Sequence, residues 1–312
     1  MPESSCCAGE SSPGLLSDLY TTGALVLWPW KTGPVFWYTA NVPGPFFINT
    51  EFLIGRALAE RLVKSLSDIV ATEAPRDEHA RRLNDLILGA WREDPTYQRV
   101  IAQLAQATEG TFPSTTYAAI SGGERRDWLF SIPLAEVLKR PHLFLFKDKS
   151  TFSATPLPSG QAVVHVADLV NNGASYLDMW LPALHALGLT CPGTVCVFCR
   201  NASGRAKLEA AGLKVLALGE VGVDFFKRSL DAGLIDQDDY TQIIAYAESP
   251  RRWAADYLMN RPEVFVLSPS DTKSPERMRL FFERDPWRLR EAYAPFFQRM
   301  LDGLPPVQDA VC

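Results

Sequence analysis

VVHVADLVNNGAS, Val163 to Ser175, is the stretch whose reading decides the fold. Its first half is a short β-branched apolar run of the kind that forms a buried parallel strand. Its second half is small, polar and Gly-containing, and helix-type sequence follows from Tyr176. Strand, tight loop and helix start make one step of an open α/β sheet. Such a loop turns successive backbone N–H groups, together with the positive end of a helix, toward one spot, and that suits a phosphate. Asp168, at the carboxyl end of the strand, then faces the crevice in which open α/β sheets bind ligands. An acid beside a phosphate cradle points to a sugar phosphate, with the carboxylate accepting from ribose hydroxyls.

The flanking sequence repeats the pattern. Upstream, a strand from Thr115 to Ile120 runs into Ser121, Gly122, Gly123, Glu124, Arg125 and Arg126, a helix follows through Leu138, and a second strand begins near His142. This is a βαβ unit whose glycines allow the backbone to approach an anion. Arg125 and Arg126 either add charge there or are solvated helix-start arginines. After Phe146 come Lys147, Asp148, Lys149 and Ser150, then the Pro/Ser-rich TFSATPLPSG, a flexible loop of the kind that closes over a site. Downstream, GTVCVFC is a strand, and Arg200 at its end serves either a ligand carboxylate or a salt bridge.

These motifs, in this order, resemble the type I phosphoribosyltransferases, and within them the orotate phosphoribosyltransferases. In that family the loop for phosphoribosyl diphosphate (PRPP) is a hydrophobic strand, two acids, two hydrophobics and a small-residue phosphate cradle. Here Asp168 matches the second acid, Leu169 and Val170 the hydrophobic pair, and Asn171, Asn172, Gly173, Ala174 and Ser175 the cradle. Ala167 stands where the first acid would be, so one of two grips on the ribose hydroxyls is absent. The resemblance implies that Ser121, Gly122, Gly123 and Lys147 hold the diphosphate and that Lys149 belongs to a mobile catalytic loop, although Thr151 and Phe152 replace the His-Gly expected after it. It further implies that Lys31 and Phe36, in an aromatic hood, and Arg200 hold the base, with Lys31 otherwise an ordinary surface lysine. Mg²⁺ bridged by ligand oxygens, with no direct protein ligation, and a homodimer are also what the resemblance implies.

Composition agrees with a globular protein. The 312 residues, 47% hydrophobic and 21% charged, are enough to bury a real core, and a net charge of −5 disfavours nonspecific nucleic-acid or membrane binding. No apolar run approaches a bilayer span, and MPESSCCAGE lacks the features of a signal peptide, so the expected location is cytoplasmic. Cys191, Cys196 and Cys199 read as buried thiols in a strand rather than as metal ligands. His79 lies in a charge-rich helix and reads as solvated, whereas His142 opens a buried strand.

The expected architecture is therefore α/β: a Rossmann-like parallel sheet flanked by helices, with a small N-terminal hood and extra helices. The expected divisions are a disordered tail over 1–14, a phosphoribosyltransferase-like domain over 15–240 with its hood at 15–50 and a helical insertion at about 71–112, and a mainly helical extension over 241–312. Within that extension EVFVLSP reads as a strand, and Trp253, Trp287, Phe296 and Phe297 read as packing residues. The function these expectations imply is transfer of ribose 5-phosphate from PRPP to a pyrimidine-like base with release of diphosphate. The alternative is a non-catalytic PRPP- or nucleotide-binding regulatory protein of the same fold.

Overall fold

The computed structural model describes residues 13–265 and 274–304. Most of the expected N-terminal tail, with Cys6, Cys7 and Cys312, falls outside them. In chain order, helix α1 (Pro13–Thr21) is followed by four short strands, β1 (Leu25–Leu27), β2 (Phe36–Trp37), β3 (Pro43–Gly44) and β4 (Phe46–Ile48). Three helices come next: α2 (Arg56–Val70), α3 (Arg76–Glu93) and α4 (Pro95–Thr111). The alternating part is β5 (Ala119–Gly123), α5 (Trp128–Val137), β6 (His142–Leu145), β7 (Thr151–Phe152), β8 (Val163–Val170), α6 (Leu181–Ala186), β9 (Gly193–Cys199), α7 (Ala202–Ala210) and β10 (Lys214–Glu220). Helices α8 (Val223–Asp231), α9 (Gln237–Glu248), α10 (Pro250–Tyr257), α11 (Ser274–Arg284) and α12 (Arg290–Asp302) complete the chain.

Helix boundaries follow local chemistry. Asp94 caps α4 by accepting the Tyr97 N–H at 2.8 Å, with Pro95 at the first helical position. Asn201 caps α7 through the Ser203 N–H at 2.9 Å, and Asp236 caps α9 through the Asp239 N–H at 2.7 Å. Among the described residues no helix is long and apolar enough to cross a membrane.

The described chain divides into two compact units. One is built from Asn49–Val221 with the residues up to Ala24, and the other from Leu25–Ile48 with the chain from Gly222 onward. The first unit holds a six-stranded sheet in the order β10-β9-β8-β5-β6-β7, parallel throughout except for the antiparallel edge strand β7. Strands β8 and β9 are almost wholly buried and rich in Val, Phe and Cys, as a sheet covered on both faces requires. Cys196 and Cys199 are fully buried free thiols of β9, and burial pushes the neighbouring Cys191 thiol up to about 11, which leaves it protonated and inert at neutral pH.

The second unit pairs β1 with β4 and β2 with β3, both antiparallel, and gathers Trp28, Val35 and Trp37 with residues of α10, α11 and α12 in an aromatic core. Trp28 and Trp253 meet edge to face at 5.6 Å, and the Trp253 indole N–H donates to Gln242 Oε1 at 3.2 Å. Phe296 and Phe297 are buried in that core and Trp287 packs against it, as the sequence predicts. The strand expected at EVFVLSP is not formed where it is described: Pro262–Phe265 is a 3-10 turn, whose first position suits the fixed φ of Pro262. The rest of that segment lies outside the described residues.

His79 corrects another expectation. It is 1% exposed, with Nδ1 against Arg76 Nη1 at 3.0 Å and Nε2 against Thr72 Oγ1 at 3.1 Å. Helical periodicity on α3 turns it inward, although the residues around it in sequence are charged.

Candidate functional site

The first unit's strand order fixes where a ligand can bind. Counted along the chain, the five parallel strands run 2-1-3-4-5 across the sheet, so the order reverses between β5 and β8. At such a switch point the loops leaving two adjacent strands diverge and open a crevice at their carboxyl ends. A cavity of about 330 Å³ lies there, lined by residues 124–127 after β5 and 167–175 of β8 and its loop. That volume suits a small ligand.

The loop after β8 is built to present backbone. Gly173 has φ +75, and Asn172 Oδ1 accepts the Ala174 N–H at 3.1 Å, a side-chain turn that fixes the loop. A continuous helical segment begins at 174 and runs to 186, with a π-helical turn at Tyr176–Trp180 before α6. Its first turn faces the cavity through Ala174, Ser175 and Tyr176. Gly204 of α7 lies against the loop: a Cβ there would sit 1.9 Å from the Asn171 carbonyl oxygen. All five residues assigned to the cradle, Asn171 to Ser175, line the cavity.

A group of carboxylates gathers around Asp168, near the end of β8. Asp168 Oδ2 accepts from Thr50 Oγ1 at 3.3 Å, and the Asp168 N–H donates to Asp127 Oδ1 at 3.0 Å. Asp127 Oδ2 accepts the Gly123 N–H at 3.2 Å. Glu51, with its side chain 7% exposed, pairs with Arg126 at 3.3 Å, and its second oxygen has no hydrogen-bond partner among the described residues. Burial, with the Asp127 and Glu51 charges, pushes the Asp168 carboxyl well above the usual carboxylate range, and Arg126 opposes that shift.

Ser121, Gly122 and Gly123, expected at the diphosphate, are not among the residues that line the cavity. Ser121 and Gly122 are interior to β5: the Ser121 hydroxyl meets His165 Nδ1 at 3.0 Å, and the bare face of Gly122 lies against Ser131 and Trp128. Gly123 does let its backbone approach an anion, and the anion is the chain's own Asp127 carboxylate. The residues of this loop that line the cavity are Glu124, Arg125, Arg126 and Asp127, with Arg125 also donating to Ser67 Oγ.

Lys147 lines the cavity, its N–H held by the Glu124 carboxylate at 3.1 Å, whereas Lys149 is outside the lining. Lys149 sits at φ +68 in a tight turn closed by the Phe146 N–H to the Ser150 carbonyl at 3.0 Å. Arg76 of α3 pins this turn. Its guanidinium stacks on Phe146 at 4.1 Å, donates to Ser150 Oγ at 2.9 Å and pairs with Asp148. The bonds from Ser150, with the Arg76 charge, hold the Asp148 carboxyl below its usual range. The helices expected as an insertion thus fasten the lysine turn. Arg76→Ala is expected to cost about 1 kcal/mol and to speed amide hydrogen exchange at Lys147 to Ser150 selectively. Unchanged exchange there would remove Arg76 as the clamp.

Arg200 follows β9, its N–H donating to the Val170 carbonyl at 2.8 Å, and it is outside the cavity lining. Lys31 and Phe36 belong to the other unit, where Lys31 pairs with Asp238 at 2.8 Å and Phe36 packs on Phe47 at 5.8 Å.

No family model matches this sequence, and no curated protein matches it. Solved structures do match the fold. The chain superposes on Leishmania donovani UMP synthase with a TM-score of 0.54 at 12% identity, over 76% of this chain and 42% of that one. It superposes on orotate phosphoribosyltransferase from Francisella tularensis with a TM-score of 0.52 at 12% identity, over 75% of this chain and 98% of that one. The fold is that of the type I phosphoribosyltransferases. The chain spans less than half the length of the UMP synthase. At this identity the likeness is one of architecture: a phosphoribosyltransferase fold with its cavity at the sheet's switch point.

Sequence reasoning on that fold misses Asp127, Glu51 and Arg76. Asp127 stands directly before α5, where an acid reads as an ordinary helix cap, yet it makes no capping bond. Glu51 and Arg76 come from distant segments and carry no local signal.

Proposed function

We propose that this chain is a phosphoribosyltransferase-like protein that takes ribose 5-phosphate from PRPP and joins it to a pyrimidine-like base with release of diphosphate. The observation that carries this reading is the meeting, at one cavity, of the small-residue loop 171–175 with the Asp168 carboxylate. The 5-phosphate would sit in the loop, a ribose hydroxyl would donate to Asp168, and Arg125, Arg126 and Lys147 would face the diphosphate. In the reaction the bond from C1 to the diphosphate oxygen breaks, its electron pair leaves with diphosphate, and a ring nitrogen of the base attacks C1 and gives its proton to solvent. The chain's residues position the partners and balance developing charge; none forms a covalent bond.

Magnesium belongs to the same proposal. Among the described residues no three His, Cys, Asp or Glu side chains are grouped to hold a metal. In this proposal a magnesium ion would take its oxygens from ligand and water. Bound there, it supplies charge neutralisation on the diphosphate. Arg200 remains the candidate for a base carboxylate, and a second copy of the chain is the proposed partner, in the cytoplasm.

A second reading, a non-catalytic PRPP- or nucleotide-binding regulatory protein, is favoured by the pinned lysine turn and by Ala167. One experiment separates them: calorimetric titration of PRPP with Mg²⁺ into the wild type, with diphosphate release followed after addition of orotate. Binding with release supports transfer, and binding without release supports the regulator. Absence of binding at millimolar PRPP overturns both.

A further inference from the structure

The Asp127 carboxylate is held by two strands at once, through the N–H of Asp168 on β8 and the N–H of Gly123 on β5. The missing side chain at Gly123 leaves room for both the Trp180 ring and this carboxylate: a Cβ there would lie 2.4 Å from Trp180 Cε2 and 2.8 Å from Asp127 Oδ2. Behind it, His165 is 0% exposed, and its Nε2, without a hydrogen-bond partner, faces Asp127 Oδ2 at 3.8 Å. His165 and Ala167, two residues apart, share one face of β8. Asp127 therefore stands on the face of the strand from which Ala167 presents only a methyl group.

A carboxylate accepts about four hydrogen bonds, and the backbone fills two of them here. Asp127 and Asp168 line the same cavity side by side. Two adjacent carboxylates in a half-buried site repel each other. Two neighbouring neutral O–H donors satisfy both without placing more charge beside them, and the vicinal cis hydroxyls of a furanose are such a pair. The phosphate-type loop lines the same cavity and would take the 5-phosphate of the same sugar.

We propose that Asp127 and Asp168 together clasp the two vicinal hydroxyls of a ribose 5-phosphate group, the loop after β5 supplying the carboxylate that position 167 lacks. The proposal rests on the cavity being a sugar-phosphate site and names the residue that reads the sugar there.

The test is calorimetric titration, with EDTA present, of ribose 5-phosphate, 2-deoxyribose 5-phosphate and inorganic phosphate into the wild type, Asp127→Asn and Asp168→Asn. Asparagine keeps the shape and one acceptor oxygen, so thermal melts of each variant report whether the loop still folds. Asp127→Asn is expected to weaken ribose 5-phosphate about ten- to hundredfold, the worth of a charge-assisted hydrogen bond. It is also expected to shrink the preference for ribose over 2-deoxyribose while leaving inorganic phosphate unchanged. If Asp168→Asn weakens ribose 5-phosphate and Asp127→Asn does not, Asp127 is structural and only this inference falls. Equal losses for all three ligands in Asp127→Asn would likewise assign it to loop architecture and overturn the inference. If the wild type binds none of the three at millimolar concentration, the sugar-phosphate reading of the cavity falls, and the inference with it.

Discussion

Gly204→Ala is expected to destabilise the chain by about 1–3 kcal/mol and to weaken phosphate binding at least about tenfold. The atoms an alanine Cβ would meet are the Asn171 carbonyl oxygen at 1.9 Å, its carbon at 2.8 Å and the Asn172 Cα at 3.3 Å. All three are backbone, so no rotamer change relieves the clash, and either α7 retreats or the phosphate-type loop is pushed out of shape. Helix propensity opposes this, since alanine in a helix gains up to about 1 kcal/mol over glycine. The clash outweighs that gain because rigid backbone stands on both sides. Urea unfolding measures the first effect, and titration with inorganic phosphate the second. A variant that loses stability yet binds phosphate like the wild type would show that the 171–175 loop is not the anion cradle.

Asp168→Asn is expected to move stability and binding in opposite directions. In the folded chain burial and the neighbouring Asp127 and Glu51 charges raise the Asp168 pKa above its usual value of 3.8. The folded state therefore holds a proton that the unfolded chain has already released, and stability falls as pH rises from about 4 through the folded pKa. Asparagine carries no charge to bury, so the ligand-free variant is expected to melt higher than the wild type at neutral pH, by on the order of 1 kcal/mol. The difference is expected to vanish below about pH 4, where the aspartate is neutral in both states. Ribose 5-phosphate affinity is expected to drop about ten- to hundredfold over the same neutral range. Melting curves across pH with the paired titrations check both halves. A variant less stable than the wild type at neutral pH would mean that the Asp168 carboxylate stabilises the free protein.

Such an opposition would mark a site that holds buried acid in readiness for a ligand. It also explains which parts of the protein are legible in the sequence. The β8 strand, its loop and the βαβ unit around β5 are contiguous, and their periodicity and glycine placement carry the physics that forms them. The cavity's position follows from them. What joins across the sheet leaves no such trace: Asp127 looks like a cap, Ser121 like a loop residue, and Arg76 like one arginine in a charged helix. Each acquires its role only when another strand or helix supplies the N–H, ring or carboxylate beside it. Gly123 is legible as a place where backbone meets an anion, while the anion itself is hidden four residues away. His79 misleads for the opposite reason, because charged neighbours in sequence mask an inward-facing helix position.

The second unit's composition bears on the order in which the protein can be made. Its strands at Leu25–Ile48 leave the ribosome early, but the aromatic residues that bury Trp28 and Trp37 come from Trp253 onward. Two tryptophans must therefore wait, solvent-exposed, through the synthesis of some two hundred intervening residues. Closing so long a loop is entropically slow, and the exposed segment is open to wrong partners meanwhile. Synthesis from the N-terminus thus lets the Asn49–Val221 sheet assemble first and makes burial of the early strands a late event, dependent on the last helices of the chain.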